Sequence, residues 1–315
     1  MRCDEKSHSM TPQIKILRTV SQVRQWRLEC LLKQQKVGFV PTMGALHKGH
    51  CSLATQSLKD NDKSIVSIFV NPSQFAPHED LDAYPRTVDD DLRILDSLNA
   101  DGKKIDALFL PKISEMYPNG ITTEVSQQRG AFVSVKGCSE QLEGSIRPQF
   151  FRGVATVVTK LLNVVQPTNV YFGQKDAQQC VVIKNLVKDL LIDTNVVVLP
   201  TMREENGLAM SSRNAYLSQE TKDRSSIIYK SLKRGEDYYS KAKGTVPSKD
   251  IIDVMNETLQ HEDFEVEYLS ISHPDTLEDL EAVEPGVGAI ISTAVRVPRE
   301  NSTEKTRLID NIVLH

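Results

Sequence analysis

The chain has 315 residues, of which 39% are hydrophobic and 25% are charged. These values are ordinary for a folded protein and exclude collagen-like, low-complexity and wholly disordered chains. The 38 lysines and arginines stand against 42 aspartates and glutamates, a formal charge of −4, so no overall positive field attracts nucleic acid or anionic lipid. At about 150 residues per domain, the length favours two domains.

The opening segment and the cysteines bear on the compartment. The first ten residues, MRCDEKSHSM, are charged where a secretory signal needs an apolar run, and no apolar stretch approaches the roughly 20 residues that span a bilayer. The five cysteines are scattered and never form a CxxC pair, which fits neither a disulfide framework nor a zinc site. We expect a cytoplasmic protein with reduced thiols and no membrane partner, and a flexible tail over residues 1–13.

Short apolar runs alternate with segments of helical period over the first two thirds of the chain. The runs cover residues 37–40, 65–70, 107–110, 170–172 and 196–199. This alternation is typical of βα units around a buried parallel sheet. The clearest helix is FRGVATVVTKLLNVVQ, whose valines and leucines recur on one face before Pro167 stops the run.

Another helix is expected to begin at Thr87 and to end before Gly102. The Thr87 hydroxyl can cap it, while Asp89, Asp90 and Asp91 lie in the first turn against the positive end of the helix dipole. A cation site is the alternative for the three carboxylates, but a helix start accounts for them without a metal.

The character of the chain changes after Leu199. The segment PTMREENGLAMSSRNAYLS has no sustained period, and polar helices follow it. Beyond Ser248 the sequence predicts a further helix and then the strands FEVEYLSIS, GAIISTAV and RLIDNIVL. We therefore predict an α/β domain over residues 1–201 and a smaller α+β domain over residues 202–315.

The segment VGFVPTMGALHKGHCSLATQSLKD predicts a phosphate site. An apolar strand runs into a glycine-containing turn and then into the start of an amphipathic helix, where backbone N–H groups and the helix dipole attract anions. Gly44 and Gly49 allow a phosphate to approach the backbone, and His47 and His50 share a helix face as further donors. The alternatives are a chance surface pair of histidines or half a metal site, although no third ligand lies at a helical interval.

A second polar segment, LAMSSRN, lies far along the chain. Ser211 and Ser212 can bond phosphate oxygens, and Arg213 can neutralise charge that develops on a departing pyrophosphate. A serine-rich loop with one arginine is usually only solvated. The segment indicates phosphate binding because it occurs together with HKGH.

Together the two segments resemble the signatures of the nucleotidyltransferase superfamily, whose members cleave ATP between the α and β phosphates. The resemblance extends to the pantothenate synthetase family, also called pantoate β-alanine ligases. It is carried, in order and spacing, by PTMGALHKGH, SIFVNPSQF followed by EDLDAYPRT, EGSIRP, VYFGQKDAQQ, REENGLAMSSRN and KTRLIDN. The similarity covers the chain from about Lys36 to Asn311.

The resemblance implies a Rossmann-like domain (1–201) that binds ATP and pantoate, and a C-terminal cap (202–315) that closes over ATP. The implied reaction joins pantoate to β-alanine through a pantoyl adenylate and releases pyrophosphate and AMP, a step of pantothenate (vitamin B5) and coenzyme A biosynthesis. Mg²⁺ is implied as the partner of ATP, held mainly by phosphates and water and not by a protein cage. A homodimer through the N-terminal domain is also implied.

The family's residue roles carry over to matching positions of this chain. The implied catalytic residues are His47, His50, Lys175, Ser211, Ser212 and Arg213. The implied ATP-binding residues are Met43, Gly44, His47, His50, Gly173, Lys175, Asp176, Met210, Ser211, Ser212 and Arg213. The implied pantoate-binding residues are Gln74, Gln179, Tyr84 and Arg147.

Two positions depart from the family's pattern. Phe150 stands where many relatives have a histidine, and Gln174 replaces the glutamate of a GEKD motif; we expect these changes to tune the activity without abolishing it. Taken singly, Gln74 could simply cap a turn, and Gln178 and Gln179 could simply open a helix. Two other functions stay open, a nucleotidyltransferase that releases an adenylylated product and a nucleotide-dependent binding protein.

Overall fold

A computed structural model describes residues 14–77, 79 and 81–315 of the chain; the expected tail over residues 1–13 lies outside these ranges. Its largest feature is a six-stranded sheet in the order β1-β4-β3-β2-β5-β6, in which every pairing is parallel. The strands are β1 (Lys15–Leu17), β2 (Val37–Thr42), β3 (Lys63–Ile68), β4 (Ala107–Phe109), β5 (Asn169–Gly173) and β6 (Asn195–Leu199). All five predicted apolar runs form strands of this sheet. The sequence analysis missed β1, a three-residue edge strand with one buried residue.

Helices cover both faces of the sheet. They are α1 (Val20–Leu32), α2 (Lys48–Asp60), α3 (Val88–Ser97), α4 (Ile113–Met116), α5 (Glu143–Ile146), α6 (Phe150–Val165) and α7 (Ala177–Asp189). Neighbouring strand residues alternate between two apolar layers, so Phe39 lies in the core under α1, α6 and α7, whereas Val40 lies in the core under α2. The predicted Rossmann-like architecture is confirmed.

The strand order creates a crevice beside β2. From β2 the chain builds β3 and β4 on one side, and β5 and β6 lie on the other. Connections therefore leave the carboxyl ends of β2 and β5 in opposite directions, and ligands of such sheets bind at that point. The HKGH and GQKD segments follow these two strand ends directly, so the topology brings them together.

A smaller unit follows β6. It contains α8 (Gln219–Lys241), α9 (Ser248–Leu259) and the strands β7 (Val246–Pro247), β8 (Glu265–Ser272), β9 (Ala282–Val283), β10 (Ala289–Pro298) and β11 (Lys305–Leu314). An antiparallel sheet has the order β11-β10-β8, and β7 pairs with β9. The expected smaller C-terminal domain is confirmed, and its division from the first at residue 201 stays a prediction. No helix in the described ranges is long and apolar enough to cross a membrane.

The prediction that Thr87 caps a helix through its hydroxyl is wrong. The helix α3 does begin at Val88, but the Thr87 side chain makes no capping hydrogen bond. Its hydroxyl donates instead to Asp91 Oδ1 at 3.3 Å. A carboxylate one turn away competes with the backbone for the hydroxyl, and Asp91 is held in place by contacts outside the helix.

Candidate active site

A cavity of about 680 Å³ opens between the carboxyl ends of β2 and β5 and the smaller domain. This volume is in the usual range for a small-molecule site. Fourteen predicted site residues line it: Met43, His47, His50, Gln74, Tyr84, Arg147, Gly173, Lys175, Asp176, Gln179, Met210, Ser211, Ser212 and Arg213. Gly44, the remaining one, is buried in the turn after β2 and does not line the cavity. Segments up to 170 positions apart in sequence thus share one space.

The two histidines cap α2 reciprocally. His47 precedes the helix, and its Nδ1 accepts the Gly49 N–H at 3.1 Å. His50 Nδ1 accepts the His47 N–H at 3.4 Å, and the two ring centroids lie 4.2 Å apart. A β-carbon on residue 49 would come within 2.7 Å of the His47 ring, so Gly49 makes room for the ring. Because both Nδ1 atoms accept, each neutral ring carries its proton on Nε2, which is left to donate to a ligand.

Both histidines are held neutral at physiological pH. Burial, together with smaller contributions from the neighbouring His47 and Lys175, lowers the pKa of His50 to about 3. Burial and the charge of Lys175 also lower the pKa of His47, against a smaller opposing effect of Asp176. The pair therefore offers hydrogen-bond donors without adding two more positive charges to a site that already contains Lys175.

Asp91 fixes the turn that leads into the histidines. The side chain is 1% exposed, and its two oxygens accept the N–H groups of Ala45 at 3.0 Å and Leu46 at 2.8 Å. Gly44 and Ala45 have φ values of 86° and 49°, a left-handed conformation that strains an alanine. The sequence analysis placed Asp91 among helix-start acids; its main contacts are instead with this turn.

Gln74 lies at one end of the cavity, in a buried 3₁₀ turn (Pro72–Gln74). Its Oε1 accepts a hydrogen bond from Asn71 Nδ2 at 3.1 Å, and its Nε2 lies 3.1 Å from Met43 Sδ. Asn71 in turn accepts the Tyr117 hydroxyl at 2.7 Å. The amide of Gln74 is thus oriented from behind by Asn71 and Tyr117, two residues that the sequence analysis missed although Asn71 belongs to the quoted NPSQF motif.

The two neighbouring glutamines of α7 differ in their surroundings. Gln178 is buried and binds α5, accepting the Glu143 N–H at 3.0 Å and donating to Gln141 O at 2.7 Å. Gln179 is partly exposed and lines the cavity. The amide of Gln178 is therefore already paired within the protein, in line with the structural interpretation, and Gln179 is the more exposed of two glutamines that both line the cavity.

Arg147 is engaged in an ion pair. Its Nε and Nη2 donate to the two carboxylate oxygens of Glu79, each at 2.6 Å, and its guanidinium carbon lies 4.0 Å from the centre of the Phe150 ring. Phe150 therefore makes a cation–π contact with Arg147. Burial would raise the pKa of Glu79, but Arg147 and, less strongly, Arg213 lower it below the usual value.

The loop from the smaller domain brings its polar side chains to the opposite wall. Ser211 caps a 3₁₀ turn (Ser212–Tyr216) and accepts the Arg213 N–H at 3.3 Å, which leaves its hydroxyl proton free to donate. Arg213 lines the cavity together with Glu79 of the large domain. Lys175 reaches the cavity from the other side, with Asp176 Oδ1 3.7 Å from its Nζ.

A buried ion pair in the lining of the cavity joins the two domains. Arg307 on β11 donates to both oxygens of Glu143, with Nη2 at 2.7 Å, and the Tyr268 hydroxyl donates to Glu143 at 2.8 Å. Glu143 belongs to EGSIRP and Arg307 to KTRLIDN, two motifs to which the sequence analysis assigned no role in docking. Their contact is seen in the tertiary structure, and no pattern in the sequence indicated it.

Comparisons with known proteins match this chain over nearly its whole length. A family model described as pantoate-beta-alanine ligase matches residues 15–313. The chain is 46% identical to the pantoate–beta-alanine ligase of Saccharomyces cerevisiae, over 96% of this chain and 100% of that protein. It is 44% identical to the pantothenate synthetase of Herpetosiphon aurantiacus, with the same coverage.

Two solved structures are similar over nearly the whole chain. The pantothenate synthetase from Thermus thermophilus matches with a TM-score of 0.81 and 37% identity, covering 95% of this chain and 99% of that one. A Francisella tularensis pantoate-beta-alanine ligase, whose crystal structure is described as complexed with beta-gamma ATP and beta-alanine, matches with a TM-score of 0.72 and 35% identity, covering 95% and 97%.

Proposed function

The chain belongs to the pantoate–β-alanine ligase family, and we propose how its cleft carries out that family's reaction. The protein is an enzyme that condenses pantoate with β-alanine at the expense of ATP. The observation that carries the assignment is the meeting, in one cavity, of two neutral histidines, Lys175 and the 211–213 loop beside the oriented amide of Gln74. A nucleotide phosphate chain and a small hydroxy acid can occupy such a space side by side.

The first step forms pantoyl adenylate. An oxygen of the pantoate carboxylate attacks the α-phosphorus of ATP, a new C(O)–O–P bond forms, and the bond from the α-phosphorus to the bridging oxygen breaks with release of pyrophosphate. Because the carboxylate is already anionic, the step needs alignment and charge stabilisation more than a general base. The Nε2–H groups of His47 and His50, with the cations of Lys175 and Arg213, would supply that stabilisation.

The remaining residues would bind the two substrates. Gln74 and Gln179 would bond the hydroxyl and carboxylate groups of pantoate, with Tyr84 and Arg147 at the edge of that subsite. ATP would contact the rest of the lining set, namely Met43, Gly173, Asp176, Met210, Ser211 and Ser212. Gly44 would act through the turn, because it lies beneath the cavity wall and not on it.

The second step is displacement by an amine. The neutral amino group of β-alanine attacks the acyl carbon of the adenylate, the C–O bond to AMP breaks, and the amide of pantothenate forms as the amine loses a proton. Closure of the smaller domain over the cavity would keep water from hydrolysing the adenylate. The contact of Glu143 with Arg307 across the two domains supports this closed arrangement.

Mg²⁺ would enter with ATP. In the part of the chain that the structure describes, no three His, Cys, Asp or Glu side chains lie close enough together to hold a metal ion. The ion would be carried by phosphate oxygens and water, the usual arrangement for a nucleotide-bound Mg²⁺. The ion would offset negative charge on the phosphates, alongside Lys175 and Arg213.

The decisive experiment separates the two steps. With pantoate and ATP but no amine, the purified protein is expected to release pyrophosphate and hold an adenylate; β-alanine should then yield AMP and the amide. A nucleotidyltransferase would stop at pyrophosphate and an adenylylated product that no amine consumes. A nucleotide-binding protein would release nothing.

We also propose a homodimer formed through the N-terminal domain, and action in the cytosol. Support for the dimer comes from exposed apolar side chains on that domain, among them Ile113 and Leu31, which are 48% and 56% exposed. Sedimentation velocity of the full chain tests it, and a monomer at micromolar concentration would exclude it. The unpaired state of the four cysteines in the described ranges suits a reducing compartment.

A further inference from the structure

The last strand of the smaller domain contacts the loop that carries Lys175. Asn311, near the end of β11, is 4% exposed. Its Nδ2 donates hydrogen bonds to the backbone carbonyl oxygens of Gln174 and Lys175, both at 2.8 Å. The side-chain amide of Gln174 donates back to Asn311 Oδ1 at 3.1 Å. Three hydrogen bonds thus join one side chain of the smaller domain to two consecutive residues of the larger one.

The loop needs such support. Residues Gln174–Asp176 form a single 3₁₀ turn between β5 and α7, and no side chain caps its start. Hydrogen-bond geometry in 3₁₀ turns is poorer than in α-helices, so an isolated turn of this length is weakly held by its own bonds. Contacts of the two carbonyl oxygens with Asn311 therefore contribute much to fixing the backbone from which the Lys175 side chain extends.

Asn311 is itself held from behind. Its N–H donates to Asp310 Oδ1 at 2.8 Å, and Asp310 is 4% exposed and paired with Arg203 through Nη1 and Nη2, the latter at 2.9 Å. Arg203 also donates to the carbonyl oxygen of Gly207 at 3.2 Å, in the segment that leads to the serines at 211 and 212. One corner of the smaller domain therefore supports both walls of the cavity.

We propose that Asn311 is a positioning residue for adenylation. It holds the Lys175 side chain in position to contact the ATP phosphates only when the smaller domain is docked. The proposal rests on the role of Lys175 under the proposed function. The proposal also gives a role to Gln174, whose side-chain amide supplies an N–H that helps to fix the orientation of the Asn311 side chain.

The test is a double-mutant cycle between Asn311→Ala and Lys175→Ala, read by pantoate-dependent pyrophosphate release. Asn311→Ala is expected to lower kcat by about 10-fold to 100-fold, the range for a displaced catalytic group, with the KM for ATP changed less than about 2-fold. In the Lys175→Ala background the same substitution should cost less than about 2-fold, because the group that it positions is gone.

A matched control is Asn185→Ala. Asn185 also donates its amide across the domain boundary, to Asp275 O at 3.2 Å, as well as to Val181 O at 3.0 Å, but it does not line the cavity. Its loss should leave kcat within about 2-fold of the unsubstituted enzyme. A kcat loss equal to that of Asn311→Ala would overturn the proposal, since any bond between the domains would then have the same effect.

The remaining outcomes are distinct. Independent, multiplicative losses from Asn311→Ala and Lys175→Ala would overturn the proposal, and so would a rise in the KM for ATP at unchanged kcat, which marks a direct contact with nucleotide. Normal adenylation by Lys175→Ala would instead refute the role of Lys175 in the proposed function, and the positioning role with it. Should Asn311→Ala fail to fold, the nearly isosteric Asn311→Asp decides the question in the same cycle, because an aspartate cannot donate to the two carbonyl oxygens: a kcat loss that disappears without Lys175 supports the proposal, and an unchanged kcat overturns it.

Discussion

Replacement of Asp91 by asparagine tests whether the turn before His47 depends on this carboxylate. The side chain is 1% exposed and accepts two backbone N–H groups, those of Ala45 and Leu46. An asparagine keeps one acceptor oxygen, while its NH₂ group faces the other N–H. A hydrogen bond to a charged group contributes about 1.5–3 kcal/mol, and an unsatisfied buried donor costs a similar amount. We expect Asp91→Asn to lower the free energy of unfolding by about 3 kcal/mol.

The matched control is Asp90→Asn in the same helical turn. Asp90 is exposed, and within the described residues its ion pair is with Arg93 at the surface. Its charge therefore matters through the helix dipole and one exposed pair, together about 0.5–1 kcal/mol. Thermal unfolding separates the two variants, because about 3 kcal/mol corresponds to a shift of roughly 6–12 °C in a domain of this size and the control to only a few degrees.

Asp91→Asn and Asp90→Asn should also differ in enzymatic activity. Without the carboxylate, the strained Ala45 at φ 49° relaxes and His47 moves away from the phosphates, which is expected to reduce pantoate-dependent pyrophosphate release about 10-fold or more. Asp90→Asn should retain full activity. If the two variants lose stability and activity equally, Asp91 acts merely as a helix-start acid and the reasoning from the turn fails.

Three further outcomes are expected. His47→Ala and His50→Ala should each reduce adenylation by roughly 10² to 10³ while the fold is kept, and near-normal turnover of both would remove them from the phosphate site. Gln74→Ala and Gln179→Ala should weaken pantoate binding and leave ATP affinity nearly unchanged in titration calorimetry; the reverse pattern would mean that the subsites are exchanged. Between pH 6.5 and about 3 the unfolded chain binds a proton at His50 that the folded protein does not. The free energy of unfolding should therefore decrease as the pH is lowered through this window, and decrease less steeply in His50→Ala. Identical slopes for the two proteins would refute the buried neutral histidine.

Isotope transfer tests the order of bond changes. Pantoate labelled with ¹⁸O in its carboxylate should deliver one labelled oxygen to AMP once β-alanine is added, while pyrophosphate stays unlabelled. Mass spectrometry of the products reads this directly. Label in inorganic phosphate, or ADP as the nucleotide product, would mean attack at the γ-phosphorus and would overturn the adenylate mechanism even if pantothenate were formed.

Local patterns in the sequence were sufficient for five of the six strands of the large sheet and for the motif segments. Strands such as β2 and β5 are short apolar runs, and α6 presents its valines and leucines on one face, so period alone predicts both. Parallel strands place their carboxyl ends on one edge of the sheet, and the strand order brings those of β2 and β5 together at the switch point. This is why residues of the HKGH and GQKD segments line the same cavity.

The partners of individual polar side chains depended on the tertiary structure. Asp91 binds a turn 45 positions earlier, Arg147 pairs with Glu79 68 positions away, and Asn311 holds the loop of Lys175. Periodicity describes which face of an element is buried, but it carries no information about which distant donor a buried carboxylate or amide meets. Burial makes an unpaired polar group costly, so each of these side chains needs a partner, and only the packing of the two domains determines which partner it finds.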